Sequence, residues 1–280
     1  MNYQIRTADY NEIDIIIEWA AEEGWNPGLY DKKSFYAADN SGFLIGFLDE
    51  KPIASISSIA YDDKFGFLGF YIVKPEFRNR GYGIRLWREA LKKLPTQNIG
   101  LDGVLTQQEN YKKSGFKLAY RNIRYEGSGI KNNSKNKKII LLSELPFKTL
   151  SKYDSRFFPA NRDTFLKEWI TQEESLAAAF INEGMIEGYG VIRKCREGFK
   201  IGPLFSNNFN VAENLYTELS SFAGENNKIF IDIPETNRDG IKLAEHYSMR
   251  AIFETARMYT KLEPEVDLNG IYGVTSFELG

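Results

Sequence analysis

Arginine and glycine residues are concentrated where an apolar segment of the chain gives way to an amphipathic one. Residues 65–73 are rich in aromatic and β-branched side chains, and after Pro75 the chain reads Arg-Asn-Arg-Gly-Tyr-Gly over residues 78–83. Glycines allow a tight turn in which backbone N–H groups converge on an anion at the positive end of a helix dipole. Two arginines add charge where phosphate oxygens would lie. The pattern predicts a phosphate-binding loop between a strand and a helix.

The elements around this loop alternate between strands and helices. The helix after the loop has apolar residues at helical spacing, which predicts that one face packs on a sheet: Ile84, Trp87, Ala90, Leu91 and Leu94. Such an order predicts a mixed α/β sheet with its ligand at a strand-to-helix junction. Hydrophobic periodicity predicts strands at 3–6, 42–49, 53–61, 65–73, 99–104 and 115–125, and helices at 14–23 and 107–114.

The second half of the chain repeats this order after a polar stretch over residues 127–138, which we interpret as a linker. The boundaries predicted are 1–130 for the first domain and 139–280 for the second. Residues 270–280 have strand character and are expected to close a sheet. In the second half we predict strands at 139–142, 175–180, 186–192, 199–205, 229–233 and 250–259, and helices up to Ile170, at 211–222 and at 237–247.

Composition excludes several classes of protein. With 280 residues, 42% of them apolar, the chain can build two cores, and its formal charge of -2 argues against nucleic acid or an anionic membrane as partner. Cys195 is the only cysteine, so neither an intramolecular disulfide nor a thiolate zinc site is expected, and we predict no metal site. No segment has the length and apolarity of a signal peptide or a membrane span, which predicts a cytoplasmic protein.

Two motifs resemble those of the GNAT acetyltransferase superfamily. The order strand, Arg-x-x-Gly-x-Gly, helix is similar to its acyl-coenzyme A pyrophosphate loop, and residues 73–78 supply the preceding Val-x-Pro-x-x-Arg. Residues 111–116 match its Tyr-x-x-x-Gly-Phe segment. The resemblance implies two tandem GNAT-like domains of the bacterial type, acetyl-CoA as cosubstrate and an amine as acceptor.

The resemblance also implies roles for individual residues. In GNAT enzymes the strand before the loop splays from its neighbour, so that backbone groups at Ile72 and Val73 would bond the pantetheine arm, with Val73 orienting the thioester carbonyl. Tyr111 becomes the candidate general acid, because a phenol with a pKa of about 10 can protonate a thiolate that is basic only to about pH 8.5. The implied cofactor-binding residues are Ile72, Val73, Arg78, Arg80, Gly81, Tyr82, Gly83, Ile84 and Tyr111.

The general base and the acceptor stay open. Residues 65–73 contain no acid, and the candidates elsewhere are Glu22, Glu23, Asp31 and Asp102, or water alone. An aromatic loop at 25–30 either shapes the acceptor site, where it would suit a cationic amine, or only covers the core. A small amine, a polyamine, an antibiotic, a peptide N-terminus and a protein lysine all fit a GNAT cleft.

The second half lacks the residues that mark the first as active. After residues 199–205 no arginine and no Gly-x-Gly follow, Ala244 stands where the tyrosine is expected, and Ser248 replaces the glycine. We therefore expect a degenerate domain that shapes the acceptor site, docks on the first domain or binds a regulator.

The predicted function is transfer of an acetyl group from acetyl-CoA to a primary amine by direct attack, with a longer acyl-CoA as a variant. The alternative is a non-catalytic acyl-CoA sensor or scaffold. The oligomeric state cannot be predicted from these patterns.

Overall fold

The strands of both halves form one continuous sheet. The computed structural model describes residues 2–132 and 136–280, so Asn133, Ser134 and Lys135 of the predicted linker lie outside the described residues. The first half contains β1 (Tyr3–Thr7), α1 (Ile13–Glu22), α2 (Asp31–Ala38), β2 (Phe43–Leu48), β3 (Lys51–Ala60), β4 (Phe65–Val73), α3 (Tyr82–Lys92), β5 (Asn98–Val104), α4 (Gln108–Lys113) and β6 (Lys117–Ser128). The second contains β7 (Ile139–Leu141), α5 (Phe147–Asp154), α6 (Asp163–Trp169), β8 (Ser175–Asn182), β9 (Met185–Lys194), β10 (Phe199–Ser206), α7 (Phe209–Ala223), β11 (Lys228–Pro234), α8 (Arg238–His246), β12 (Arg250–Tyr259) and β13 (Ile271–Gly273).

The two halves exchange strands at the centre of the sheet. The order is β1-β2-β3-β4-β5-β12-β6-β11-β10-β9-β8-β7, with β13 paired to β10. Strand β12 of the second half therefore lies between β5 and β6 of the first, and β6 pairs with β11. Each half therefore completes the sheet of the other. The domain boundaries predicted from the sequence, 1–130 and 139–280, stay a prediction.

A pair of equivalent salt bridges marks the internal repeat. Asp102 and Asp232 are the fifth residues of β5 and β11, and each is paired in register with the eighth residue of the neighbouring strand, Arg257 or Arg124. Both bridges are bidentate and buried, with Nη2–Oδ2 distances of 2.6 Å for Arg257 and 2.8 Å for Arg124. Removal of one partner from a buried pair costs about 3–5 kcal/mol, so these bridges fasten the two halves together.

Three segments differ from the sequence-based expectation. Helix α2 was not predicted, because its buried apolar contact comes mainly from Phe35, which stacks on Trp169 of the other half. In α3, Ile84 is 46% exposed while Leu86 is buried, since Ile84 lies in the first turn, at the mouth of a cleft. Of residues 270–280 only Ile271–Gly273 is a strand; after it the Val274 N–H donates to the Asp232 carbonyl at 2.8 Å, and residues 275–280 form no strand.

Candidate functional site

Strands β4 and β5 separate partway along their length. They pair in parallel from Phe65 with Asn98 to Leu68 with Leu101, and no further. Phe70 then adopts φ +48°, and the pairing of β4 with β3 shifts register at this point. The resulting bulge bends β4 away from β5. The part of β4 from residue 69 to Val73 thus faces a gap into which an extended ligand can insert.

This gap opens into a cleft of about 560 Å³ lined by both halves of the chain. From the first half come β4, the start of α3, the end of β5 and Tyr111. From the second half come Phe253 and Thr255 of β12, together with Phe277 and Glu278. Of the predicted cofactor-binding residues, those that line the cleft are Ile72, Val73, Arg78, Gly81, Gly83, Ile84 and Tyr111, whereas Arg80 and Tyr82 do not.

The N-terminus of α3 offers free backbone donors to the cleft. Gly81 is the N-cap with φ +83° and no side chain caps the helix, while the N–H of Arg85 already bonds the Gly81 carbonyl at 3.4 Å. The first N–H groups of a helix have no intrahelical partner. Those of residues 82–84 are therefore available to an anion, where the helix dipole also favours negative charge.

Glycine at position 83 lets the helix approach β4. A Cβ there would lie 2.7 Å from the Tyr71 hydroxyl and 3.0 Å from Cγ2 of Val73. Both distances are shorter than ordinary contacts between carbon and its neighbours, so a larger residue would push α3 away from the strand. The Gly-x-Gly spacing thus serves a tight turn at Gly81 and a close approach at Gly83.

The two arginines of the loop have different surroundings. Arg78 donates from Nε to the Val73 carbonyl at 2.7 Å and pairs through Nη2 with Glu23 on the rim of the cleft. Arg80 is exposed, with its guanidinium 6.0 Å from the centre of the Phe77 ring. Tyr82 points away from the cleft and packs on Tyr3, with 4.9 Å between ring centres.

Tyr111 is held at the other wall of the gap. Its ring packs beside Trp87 at 5.5 Å and over Gly103, where a Cβ would lie 2.3 Å from the ring. Burial raises the pKa of the Tyr111 phenol, and its hydroxyl bonds none of the described residues. The phenol therefore stays protonated at neutral pH and keeps its O–H for a ligand.

The segment of residues 268–280 brings Phe277 and Glu278 into the first half. It runs over Gly69 so closely that a Cβ there would lie 1.9 Å from the Glu278 carbonyl oxygen. It is anchored by the Tyr61 hydroxyl, which donates to the Leu279 carbonyl at 2.8 Å, and by Arg162 Nη1, which donates to Thr275 Oγ1 at 2.9 Å. Sequence reasoning missed both cleft residues, because a strand-like run near the end of the sequence does not indicate what it crosses.

The carboxylates considered from the sequence as general bases are all engaged or remote. Asp102 lines the cleft but is bonded by Arg257 and by Asn122. Asp31 is buried against Arg193, Glu23 pairs with Arg78, and Glu22 is exposed outside the cleft. By contrast, Glu278 is 3% exposed and its carboxylate bonds no described side chain.

The equivalent gap in the second half is filled by the chain itself. Strands β10 and β11 pair only from Phe199 to Ile201, and beyond that point β13 occupies the space beside β10. The N-terminus of α7 is capped by the Asn208 side chain, which accepts from Val211 at 3.1 Å. The Tyr111 carbonyl accepts from the N–H of Phe116, and the Ala244 carbonyl accepts from the N–H of Met249, five residues later in both cases. Ala244 therefore occupies the position in the second half that Tyr111 has in the first. The second half therefore presents no comparable cleft within the described residues.

Within the described ranges 2–132 and 136–280, no helix is long and apolar enough to cross a membrane. No group of three or more His, Cys, Asp or Glu side chains there is arranged to hold a metal ion.

Comparison with known proteins gives matches to both halves. Residues 10–116 match the family model described as Acetyltransferase (GNAT) family, and residues 150–273 match the one described as Acetyltransferase (GNAT) domain. The holothin acyltransferase of Pseudoalteromonas sp. (strain SANK 73390) is 30% identical over 275 residues, which cover 98% of this chain and 94% of that protein. The uncharacterized N-acetyltransferase YitH of Bacillus subtilis (strain 168) is 26% identical over 171 residues, 60% of each chain.

Solved structures share the fold along the whole chain. A putative acetyltransferase from Pyrococcus horikoshii superposes with a TM-score of 0.84 at 23% identity, covering 99% of this chain and 96% of that one. A tandem GNAT protein from the clavulanic acid biosynthesis pathway superposes with a TM-score of 0.65 at 10% identity, covering 94% and 99%.

Proposed function

The chain belongs to the GNAT acetyltransferase family, and from that membership we propose that it transfers an acetyl group from acetyl-CoA to a primary amine. One observation carries the proposal: the gap between β4 and β5 runs from an uncapped helix N-terminus, past the Tyr111 phenol, to the Glu278 carboxylate, which has no ion pair among the described residues. Those are the groups that acyl transfer from a thioester needs, namely an anion grip, a proton donor and a proton acceptor.

The cofactor would lie along the free part of β4. Its pantetheine arm would bond backbone groups at Ile72 and Val73, and its pyrophosphate would accept from the N–H groups of residues 82–84. Arg80, exposed beside this turn, would add charge from outside the cleft. Arg78 would add charge through Nη1, which bonds none of the described residues.

The reaction would proceed by direct attack. The amine nitrogen forms a bond to the thioester carbon, the C–S bond breaks, and the nitrogen gives up one proton to a carboxylate oxygen of Glu278. The departing thiolate takes a proton from the Tyr111 hydroxyl, whose raised pKa keeps that proton available. Val73 would orient the thioester carbonyl through its backbone.

Calorimetric titration with acetyl-CoA tests the cofactor site. The double variant Arg80→Ala, Gly83→Glu removes a cation and places a carboxylate at the α3 N-terminus, so we expect binding to weaken by at least tenfold. Asn210→Glu is the matched control, because Asn210 is the exposed second residue of α7. Loss of binding in the control but not in the double variant would move the cofactor to the second half.

A non-catalytic acyl-CoA sensor is the competing function, and the pairing of Glu23 and Asp102 with arginines favours it. A thiol-release assay separates the two. Release that depends on an added amine supports the transferase, whereas binding of acetyl-CoA with only slow hydrolysis supports the sensor. Acyl-chain length and a cytoplasmic location stay predictions.

A further inference from the structure

Strand β4 separates two sides of the cleft. Its residues Tyr71 and Val73 pack with α3, whereas Phe70 and Ile72 pack with α1 and α2. Tyr111 lies on the α3 side, as does the N-terminus of that helix. The α1 side of the cleft has an aromatic lining that comes from both halves of the chain: Trp25, Phe253 and Phe277. With the cofactor held on the α3 side, an acceptor would approach the thioester from the α1 side.

The aromatic loop at 25–30 connects α1 to α2 and lies against the β9–β10 hairpin of the second half. The Leu29 N–H donates to the Lys194 carbonyl at 3.0 Å, and the Arg196 N–H donates to the Pro27 carbonyl at 3.2 Å. The second half therefore supports the main chain of a loop that belongs to the first.

Asn26 attaches the loop to the turn of that hairpin. Its backbone is left-handed, with φ +53°, a conformation that asparagine adopts more readily than most residues. Its side-chain Nδ2 donates to the Glu197 carbonyl at 2.9 Å, and its Oδ1 accepts from the Glu197 N–H at 2.8 Å. Asn26 does not line the cleft, so these two bonds serve the attachment of the loop.

Two buried cations bond the same stretch of main chain. Lys200 of β10 is 2% exposed, and its Nζ donates to the Asn26 carbonyl at 2.9 Å and to the Trp25 carbonyl at 3.4 Å. Arg124 of β6 donates from Nη1 to the Trp25 carbonyl at 2.8 Å, while its Nε and Nη2 pair with Asp232. Arg124 thus has a carboxylate partner, whereas Lys200 bonds only the two loop carbonyls within the described part of the chain.

Fold stability alone does not account for a lysine at position 200. A buried charge without a paired carboxylate costs free energy, and an apolar side chain of similar size would avoid that cost. What the lysine adds is a fixed main chain at Trp25, the residue through which the loop reaches the cleft.

We propose that Lys200 is a positioning residue, which fixes the main chain of the aromatic loop so that Trp25 forms the wall against which the acceptor binds. Lys200 does not line the cleft, so it acts through the loop and touches neither the cofactor nor the acceptor. The degenerate second half thereby completes the acceptor side of the site in the first half. This inference rests on the proposed acyl transfer.

Hydrogen exchange followed by mass spectrometry tests the hold on the loop without any acceptor. Lys200→Met keeps an unbranched side chain and removes the three N–H donors. We expect the amides of residues 25–30 to exchange at least tenfold faster, with β9 and β11 as protected as in the wild type. Lys194→Met is the matched control, because the Lys194 Nζ lies 4.3 Å from the centre of the Phe199 ring and bonds no atom of the loop.

Two exchange results would overturn the proposal. Unchanged exchange of residues 25–30 in Lys200→Met would show that the lysine does not hold the loop. Faster exchange throughout β9 and β11 as well would show that it supports the fold in general. These readings stand whether or not an acceptor has been found.

A split between KM and kcat tests the consequence for the acceptor. The assay is thiol release with saturating acetyl-CoA, on whichever of n-butylamine, benzylamine, aniline and spermidine the wild type acylates fastest. Lys200→Met should raise the KM of this amine at least fivefold, with kcat within threefold and the acetyl-CoA Kd within twofold of the wild type. A lower kcat at unchanged KM, or equal effects of Lys194→Met, would contradict a positioning role.

Asn26→Gly perturbs the same loop independently. Glycine adopts a φ of +53° without strain, and the substitution removes both bonds to Glu197. It should speed exchange in residues 25–30 and raise the amine KM in the same direction as Lys200→Met, and an unchanged loop would count against the attachment. Absence of acetyl-CoA binding by the wild type would instead overturn the proposed function, and the exchange data would still decide whether Lys200 holds the loop.

Discussion

Replacement of Glu278 by glutamine removes the one cleft carboxylate that has no ion pair among the described residues. The amide has nearly the same size but accepts a proton far less readily, so the variant tests proton transfer with little change in packing. General base catalysis contributes about 10²–10⁴-fold, which corresponds to roughly 3–5 kcal/mol at about 1.4 kcal/mol per factor of ten. We expect kcat to fall by at least about 100-fold.

Binding of the cofactor should not change in Glu278→Gln. Glu278 crosses β4 with its backbone carbonyl beside Gly69, about 13 Å along β4 from Val73, where the cofactor-binding part of the cleft ends. The assay is single-turnover acetylation of a primary amine, run beside calorimetric titration with acetyl-CoA.

Two control variants accompany Glu278→Gln. Glu254→Gln changes a carboxylate on β12 that is 39% exposed and paired with Arg121 at 3.3 Å, and it should leave kcat unchanged. Glu278→Asp keeps the charge and should retain part of the activity. A Glu278→Gln enzyme with kcat within threefold of the wild type would refute a role of this carboxylate in proton transfer.

Three other perturbations give distinct outcomes. Tyr111→Phe should lower kcat by about 10²-fold with an unchanged acetyl-CoA Kd. Because burial raises the Tyr111 pKa, the pH profile of the wild-type kcat should show no loss from phenol ionisation below about pH 10. A loss of activity centred below that pH would contradict the role of Tyr111 as proton donor. Asp102→Asn leaves Arg257 buried without its counter-charge, so urea unfolding should show a loss of about 3–5 kcal/mol, and a loss below about 1 kcal/mol would place the pair among weak surface bridges. Gly69→Ala should release the 268–280 segment, since its Cβ would lie 1.9 Å from the Glu278 carbonyl oxygen, and limited proteolysis should then cut near Phe277; protection equal to the wild type would show that the segment does not depend on this contact.

Local patterns predicted the part of the site that local structure builds. The loop over residues 78–83 and helix α3 follow each other in the chain, so the glycine spacing and the helical periodicity were sufficient to predict a tight turn at a helix N-terminus there; the anion site stays a prediction. Tyr111 was predicted from a short motif in the same way. Seven of the nine predicted cofactor-binding residues line the cleft, and the two that do not, Arg80 and Tyr82, lie on either side of Gly81, the N-cap of α3.

Contacts between the halves could not be predicted from the sequence. Glu278 meets Gly69 across two domains, and no spacing in the chain connects them. The positions of β6 and β12 in the sheet could not be predicted either, because the residue pattern of a strand does not specify its partner strand. The paired state of Asp102 likewise depends on Arg257, which the exchange places beside it.

The sequence indicated that the second half differs from the first, but not how its gap is filled. The second half was predicted to lack a working site because arginine, glycine and tyrosine are missing from the expected positions. The structure adds a physical reason, since β13 occupies the gap beside β10 and Asn208 caps α7. The same segment that closes this gap continues into the first half and supplies Phe277 and Glu278.

A crystal structure of the protein with coenzyme A tests the central claim most directly, because it distinguishes the open gap between β4 and β5 from the equivalent position between β10 and β11, which β13 fills. We predict density in the gap between β4 and β5, with the pyrophosphate on the N–H groups of residues 82–84 and the sulfur within hydrogen-bonding distance of the Tyr111 hydroxyl. Coenzyme A between β10 and β11, with residues 268–275 displaced, would contradict the account.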